Sequence, residues 1–345
     1  LFLAVDDDGF LRACAVLLLW GRGYVEPVVP PPSPRHIAAQ QFMALALQES
    51  RFGAATWRTW WGDLAVMEDG EAVLDHLRAE EFLVEDQGML FIGPAAEKEF
   101  GRRHFMDLLA TFTADLELRV VAGRREIGTI SPLALQKRGV EGEAKRILLA
   151  GWAWKVESVD WQRREIIVSE QPEKGTVRWP GEPVAEAFEL VRAQREVLLG
   201  ATPDVVLSRR AVARLGRVRE EMAGVVDAAG LVMVDREDRR EYWTWAGLRA
   251  NETLAAALGP GAVIGTDNRR TLLEPHVTRE QIRTAPVTTA VPAISPEAVD
   301  GLKFSTALPP EMARATLAER FMDREPWLDA PQRLQGDQSD SRTIR

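Results

Sequence analysis

Aromatic and basic side chains are the residues whose types and spacing could do chemistry in this chain. The sequence of 345 residues contains 11 Trp. Trp152 and Trp154 alternate in a predicted strand, and Trp161 precedes Arg163 and Arg164 at a predicted turn. Aromatic rings stack on unpaired bases for about 1–3 kcal/mol each, and guanidinium groups bind phosphate. These five residues could therefore hold a single strand of nucleic acid.

Each of these aromatic residues also has a structural explanation. Trp152 and Trp154 share one strand face, so at least one of the two rings is expected in the core. Trp154 is the candidate stacking ring of the pair. A cation–π contact within the hairpin would account equally well for Trp161 beside its arginines. Three more tryptophans at helical spacing are predicted to pack in the core: Trp57, Trp60 and Trp61.

A first basic cluster lies where two predicted domains join. It consists of Arg102, Arg103 and His104, whose side chains could follow a phosphate backbone. An interdomain ion-pair cluster with Glu97 and Glu99 explains these residues equally well.

A second basic cluster forms a stripe beside the apolar face of a predicted helix. The stripe consists of Arg210, Arg214 and Arg217. The segment 208–219 around it holds five Arg and no acidic residue, which makes it the strongest electrostatic candidate. The alternative is a solvated helix face paired with Glu220 and Glu221.

Motifs for catalysis or for a cofactor are missing from the sequence. It contains no phosphate-binding loop of the form GxxxxGK[ST], no GxGxxG, no DExH and no HExxH. A single Cys and four scattered His predict neither a disulfide nor a zinc site. We therefore predict no catalytic residue, no metal and no cofactor in this segment, which should not hydrolyse ATP alone.

Composition limits the classes of protein that remain. The net charge of −9 argues against a surface that is basic throughout. The apolar runs are far shorter than the roughly 20 residues of a membrane span, so we expect no membrane contact. The single Cys and the lack of a secretion signal favour the cytoplasm. The opening LFLAVDDDGF lacks the features of a secretion signal, and we interpret the sequence as a fragment of a longer protein.

The order of predicted elements gives an α+β fold class with two folded domains. Three helices and a hairpin over residues 35–100 predict a winged helix, preceded in 1–34 by a helix and a proline-rich strap. Residues 101–325 predict a larger mixed domain, in which short strands form a curled β-sheet or barrel and helices form a subdomain. Residues 326–345 are polar and are predicted to be disordered.

Five long stretches resemble one family in the same order. They are PPPSPRHIAAQQFMALALQ (30–48), MLFIGPAAEKEFGRRHFMDLLATF (89–112), ILLAGWAWKVESVDWQRREIIV (147–168), TWAGLRANETLAAAL (244–258) and LKFSTALPPEMARATLAERF (302–321). They look like the region that follows the motor in large-helicase-related (Lhr-type) DEAD/DEAH-box helicases. The resemblance covers roughly residues 10–325.

The resemblance implies that two RecA-like motor domains lie upstream and use ATP and Mg²⁺. The intact enzyme would move 3′ to 5′ on single-stranded DNA and unwind duplexes, including RNA:DNA hybrids, in repair. The region seen here would grip the strand, with an aromatic residue stacking on it, which we place at Trp154 in GWAWKV.

Two other classes remain as alternatives. A stand-alone winged-helix adaptor or regulator would read duplex DNA with the helix near residues 71–80, but that helix is acidic where Arg, Asn or Gln is expected. A base-excision glycosylase would need a catalytic carboxylate in a base pocket, and no position in the sequence stands out.

Overall fold

The computed structural model describes the chain in separate stretches. They are residues 6–101, 105–109, 118–123, 125–130, 146–149, 152–160, 163, 165–170, 185–294 and 296–328. The fold is mixed α+β, with helices and several sheets, as the sequence predicts. None of the helices in these stretches is both long and apolar enough to cross a membrane.

The helices and strands are numbered along the chain. The helices are α1 (Asp7–Gly21), α2 (Arg35–Gln48), α3 (Arg58–Trp61), α4 (Gly70–Ala79), α5 (Pro94–Phe100), α6 (Met106–Leu109), α7 (Phe188–Leu198), α8 (Arg209–Met222), α9 (Leu248–Leu258), α10 (Arg279–Thr284), α11 (Pro296–Gly301), α12 (Pro310–Arg320) and α13 (Glu325–Leu328). The strands are β1 (Phe52–Gly53), β2 (Leu83–Asp86), β3 (Met89–Ile92), β4 (Leu118–Ala122), β5 (Arg125–Ile130), β6 (Arg146–Leu149), β7 (Trp152–Asp160), β8 (Glu165–Glu170), β9 (Val232–Asp235), β10 (Arg240–Trp243), β11 (Val263–Thr266) and β12 (Arg270–Leu273).

Two compact units are built from segments that alternate along the chain. The first unit contains residues 1–29, 182–292 and 321–345, and the second contains 30–181 and 293–320. The sequence predicted consecutive domains instead, with boundaries after residues 34, 100 and 325. Local patterns cannot reveal this arrangement, because it depends on contacts between segments more than 150 residues apart.

In the first unit, α1 packs along α7, and α8 lies against both helices. Asp6 caps α1, because its carboxylate accepts a hydrogen bond of 2.6 Å from the Gly9 N–H. Leu11, Cys14 and Leu18 follow at helical spacing and are buried. A four-stranded antiparallel sheet, in the order β11-β12-β10-β9, completes this unit together with α9, α10 and α13.

The second unit begins with α2, α3 and α4 around a small antiparallel sheet in the order β1-β3-β2. The β2–β3 hairpin turns through Gln87 and Gly88, whose φ angles of 50° and 76° are those of a two-residue turn. The core of this part also contains Phe304, Leu308 and other residues of the 293–320 segment.

Two of the three clustered tryptophans anchor that core. The ring centroid of Phe42 lies 5.1 Å from that of Trp57 and 5.3 Å from that of Trp61, both edge to face. A Cβ at Gly70 would come within 2.6 Å of the Trp57 ring, so only glycine fits there without a shift. Trp60 is 48% exposed, so the prediction that all three rings pack inward is wrong for this one.

The second unit also contains a five-stranded sheet in the order β5-β4-β8-β7-β6. Strands β4 and β8 are parallel and the other neighbours are antiparallel. One face buries Leu118, Val120, Ile166 and other apolar side chains. Among the described strands the sheet does not close on itself, since β5 and β6 have one neighbour each.

Candidate nucleic-acid interface

The position of Trp154 contradicts its predicted role. Trp154 lies in β7, where only 7% of its surface is exposed, and it packs with Leu118, Val120 and Ile166 in the core of the five-stranded sheet. No face of a ring buried in this way can stack on a base. We therefore correct the prediction and assign Trp154 to the core. Strand alternation fixes which residues share a face with Trp154, but it does not tell which face of the sheet is exposed to solvent.

The turn between β7 and β8 contains one described candidate. The Arg163 side chain is 79% exposed, and its guanidinium Nε lies 3.8 Å from an Asp160 carboxylate oxygen, which is a weak ion pair. The Arg163 backbone N–H donates to the same carboxylate at 2.9 Å, which holds the turn. A phosphate could reach this guanidinium. The remaining candidates of these clusters, Arg102, Arg103, His104, Trp161 and Arg164, lie outside the described residues.

The arginine stripe of α8 is largely engaged in holding helices together. Arg214 Nε lies 2.6 Å and Arg217 Nη1 lies 2.9 Å from the Asp7 carboxylate at the start of α1. Hydrogen bonds from Arg217 and then Arg214 lower the pKa of Asp7. Arg217 also pairs with Glu221 at 3.0 Å, as the alternative predicted. Of the stripe only Arg210, exposed at the first turn of α8, has no ionic partner among the described residues.

The outward face of the five-stranded sheet does not form a basic surface in the part that is described. Arg119 pairs with Glu165 on the neighbouring parallel strand and lies 3.9 Å from Glu126. Lys155 Nζ lies 3.2 Å from the Glu157 carboxylate. Arg119 and Lys155 therefore each have an acidic neighbour, which largely compensates their charges.

Charge is distributed very unevenly along the second unit. Residues 35–100, which we call the acidic module, contain 12 Asp and Glu but only 5 Lys and Arg, a net charge of −7 out of −9 for the whole chain. On α4 the outward side chains include Glu71 and Asp75, and strand β2 adds Glu85 and Asp86. Such a surface repels a phosphate backbone.

Sequence reasoning missed a charged group buried inside the four-stranded sheet. Glu241 is almost fully buried, and its carboxylate lies 3.1 Å from Arg270 and 3.3 Å from Arg236. Burial raises the pKa of Glu241, but the hydrogen bond from Arg236 and the charge of Arg270 outweigh burial, so the pKa is lowered. The sequence pattern did not predict the burial of Glu241 and Arg270, because charged residues are usually expected on the protein surface.

The stretch TWAGLRAN after β10, which carries part of the resemblance, is structural. The Thr244 hydroxyl donates to Asn251 Oδ1 at 2.7 Å, and Asn251 Nδ2 donates to the Asp267 carbonyl at 2.7 Å. Asn268 Oδ1 accepts from the Leu248 N–H at 3.0 Å. These bonds fix the start of α9 against the β11–β12 turn. The side chains of Thr244 and Asn251 bond to each other and to the backbone, so they are not available to a ligand.

A second buried polar group joins α2 and α12. His36, a residue treated as structural from the sequence, is 6% exposed, and Arg320 Nη2 donates to its Nε2 at 3.0 Å. Because a guanidinium only donates, Nδ1 of His36 carries the proton. Burial and then the charge of Arg320 lower the pKa of His36 to about 4. Arg35 beside it pairs with Asp69 and Glu319.

The described residues contain no group of three or more His, Cys, Asp and Glu that could hold a metal ion. Comparison with protein-family models, with curated proteins and with solved structures returns no match to this chain. The functional argument therefore depends on the residues and the geometry given above.

Proposed function

We propose that this chain is the nucleic-acid-binding, non-motor part of an ATP-dependent 3′–5′ helicase. It would grip single-stranded DNA, or one strand of an RNA:DNA hybrid, while RecA-like domains elsewhere in the protein drive movement. The observation that carries the proposal is the order of elements α2, β1, α3, α4, β2 and β3, with β3 central in the sheet, which fits a winged helix. The same residues open the stretch that resembles the post-motor region of Lhr-type helicases.

A curled sheet downstream is the second part of the proposal. The pairing register shifts once between β4 and β5, after Val120, and once between β7 and β8, after Val156. These shifts have the form of β-bulges. Such bulges bend a strand and increase its twist, and they are common where a sheet rolls toward a barrel. A bent sheet that is apolar inside and polar outside could lie against one strand of nucleic acid.

The contacts to the strand would come from outside the acidic module. Arg163 at the β7–β8 turn is an exposed candidate for one contact, together with its neighbours in sequence, Trp161 and Arg164. The predicted cluster of Arg102, Arg103 and His104 would be the second contact. ATP and Mg²⁺ would bind the motor domains, and the contribution of this chain would be to hold the strand between strokes, in DNA repair in the cytoplasm.

The alternative of a stand-alone winged-helix regulator is disfavoured by charge. A helix that reads bases in the major groove has to approach phosphates closely. The outward side chains of α4 include Glu71 and Asp75, and the module as a whole carries a net charge of −7. A winged helix with this surface fits a role in positioning other domains better than one in reading duplex DNA.

Binding of single-stranded DNA tests the proposal directly. Fluorescence anisotropy with a labelled oligonucleotide of about 20 nucleotides, titrated at several salt concentrations, should give a log–log slope of about −0.7 per phosphate contact. The double variant Arg163→Ala/Arg164→Ala should weaken binding and flatten the slope. The matched control is Arg217→Ala, because the Arg217 guanidinium is held by Asp7. This variant should leave the affinity and the salt slope unchanged.

Two results would refute the proposal. One is the absence of measurable binding to single strands at low salt. The other is a clear preference for a specific duplex sequence, which would favour the regulator. In addition, the full-length gene should encode a phosphate-binding loop and a DExH box, and its product should hydrolyse ATP faster when single-stranded DNA is present.

A further inference from the structure

Two large apolar side chains lie on the surface of the acidic module. Trp60, at the end of α3, is 48% exposed, and Leu64 is 56% exposed. Gly62 lies between them with φ of 56°, which ends the helix and turns the chain outward. A single exposed apolar residue needs no explanation, but a Trp and a Leu within five residues form the beginning of a patch. We call these two residues the Trp60 patch.

The core holds the patch in a fixed position. Trp57 and Trp61, on either side of Trp60, pack edge to face on Phe42. Trp57 is 2% exposed and also fills the space beside Gly70 of α4. The backbone of Trp60 is therefore anchored on both sides, while its own ring contributes little to the core. A ring presented on a rigid element loses little entropy on binding, which favours a recognition role.

Acidic residues lie next to the patch in the sequence. Residues 57–75 contain five Asp and Glu and one Arg. Asp63 and Glu68 are exposed and have no ionic partner among the described residues, and Glu71 is only 3.4 Å from Arg58. This contact places Glu71, in the first turn of α4, beside α3, while Asp63 and Glu68 lie in the segment that joins the two helices. An apolar centre with an acidic rim is complementary to a cationic surface that carries an apolar anchor.

We propose that the Trp60 patch is a docking site for a positively charged polypeptide segment with a large apolar side chain. Nucleic acid also has flat apolar surfaces, but its phosphates would face Asp63, Glu68 and Glu71 across the interface. Tryptophan is enriched among interface residues that carry most of the binding energy. The inference goes beyond strand binding, since it assigns the acidic module to a protein partner.

A defined peptide probe tests the inference on the full chain. The probe is a fluorescein-labelled amphipathic peptide of Leu and Lys with about five helical turns. Its affinity, measured by anisotropy, should fall about tenfold or more in Trp60→Ala, because this change removes the anchor of the patch. Reversal of the rim charge in Asp63→Lys/Glu68→Lys should weaken binding further and reduce its dependence on salt.

The control is an exposed tryptophan away from the patch. Trp20 on α1 is 68% exposed, and Trp20→Ala should bind the peptide as the unchanged chain does. Equal losses in Trp60→Ala and Trp20→Ala, or no loss in either, would overturn the inference, as would a chain that does not bind the peptide. Single-stranded DNA is titrated into the same variants. A loss of DNA affinity in Trp60→Ala, with peptide affinity unchanged, would assign the patch to nucleic acid instead.

Discussion

Protonation of His36 should make the second unit unstable in mild acid. The imidazole is buried, and its Nε2 accepts a hydrogen bond of 3.0 Å from Arg320. Arg35 precedes His36 in the chain, and its guanidinium already pairs with both Asp69 and Glu319. A proton on Nε2 would break the bond and place two positive charges face to face. The pKa of His36 is accordingly lowered to about 4.

The size of the effect follows from linkage between protonation and folding. In the unfolded chain a histidine binds its proton near pH 6.5, whereas folded His36 resists protonation down to about pH 4. Below pH 6.5 the unfolded state therefore binds more protons, and stability falls as the pH falls. Between pH 7 and pH 5 the loss is about 2 kcal/mol, and it reaches about 3 kcal/mol below pH 4.

Urea unfolding of the chain and of His36→Gln at pH 7 and pH 5 measures this effect. A glutamine oxygen can still accept from Arg320 but does not titrate. The pH-dependent loss of stability should therefore be about 2 kcal/mol smaller in the variant. If His36→Gln does not fold, the NMR titration of the His36 ring in the unchanged chain supplies the same quantity. An equal pH dependence in both proteins, or a ring that titrates near pH 6.5, would refute the reasoning.

Three further predictions concern stability. Trp154→Ala should lower the free energy of unfolding by about 3–5 kcal/mol in chemical denaturation, because it removes a buried ring from the sheet core. A variant that loses DNA binding but keeps its stability would contradict this. Glu241→Gln should cost about 1–3 kcal/mol by the same measurement, since it removes the buried carboxylate charge that faces Arg236 and Arg270, although Arg270 keeps Asp267 at 3.2 Å. A neutral outcome would argue against the ion pair. Gly70→Ala should cost about 1–3 kcal/mol in thermal unfolding, because its Cβ meets the Trp57 ring at 2.6 Å, and unchanged stability would show that the ring can move.

Local patterns predicted the elements of this chain well. The sequence predicted a helix within residues 1–34 and another near residues 71–80, and the structure has α1 and α4 there. Such predictions succeed because capping and helical period depend on near neighbours, as at Asp6 in α1 and at Val73, Leu74 and Leu77 in α4. The short strands of the five-stranded sheet were also expected, since period-two alternation persists through them. Short helices such as α10 and α13 were missed, because six or four residues carry too little periodicity.

The candidate site was predicted less well, because its residues depend on distant partners. The acid that neutralises Arg214 and Arg217 is Asp7, more than 200 positions away, and no spacing rule could suggest it. Trp154 was assigned to the correct strand, but what covers its face of the sheet is not encoded in the strand itself. The acidity of the helix near Glu71 was visible in the sequence, and it became informative once Trp60 was seen to lie outside the core.

The alternation of the two units along the chain has a consequence for synthesis. The apolar face of α1 is buried against α7, which begins about 170 residues after α1 ends. At about 5–20 residues per second, a ribosome needs roughly 10–30 s to make that intervening stretch. During this time Leu11, Cys14 and Leu18 have no native partner and are a natural target for chaperones. Helix α1 is thus made early and buried late.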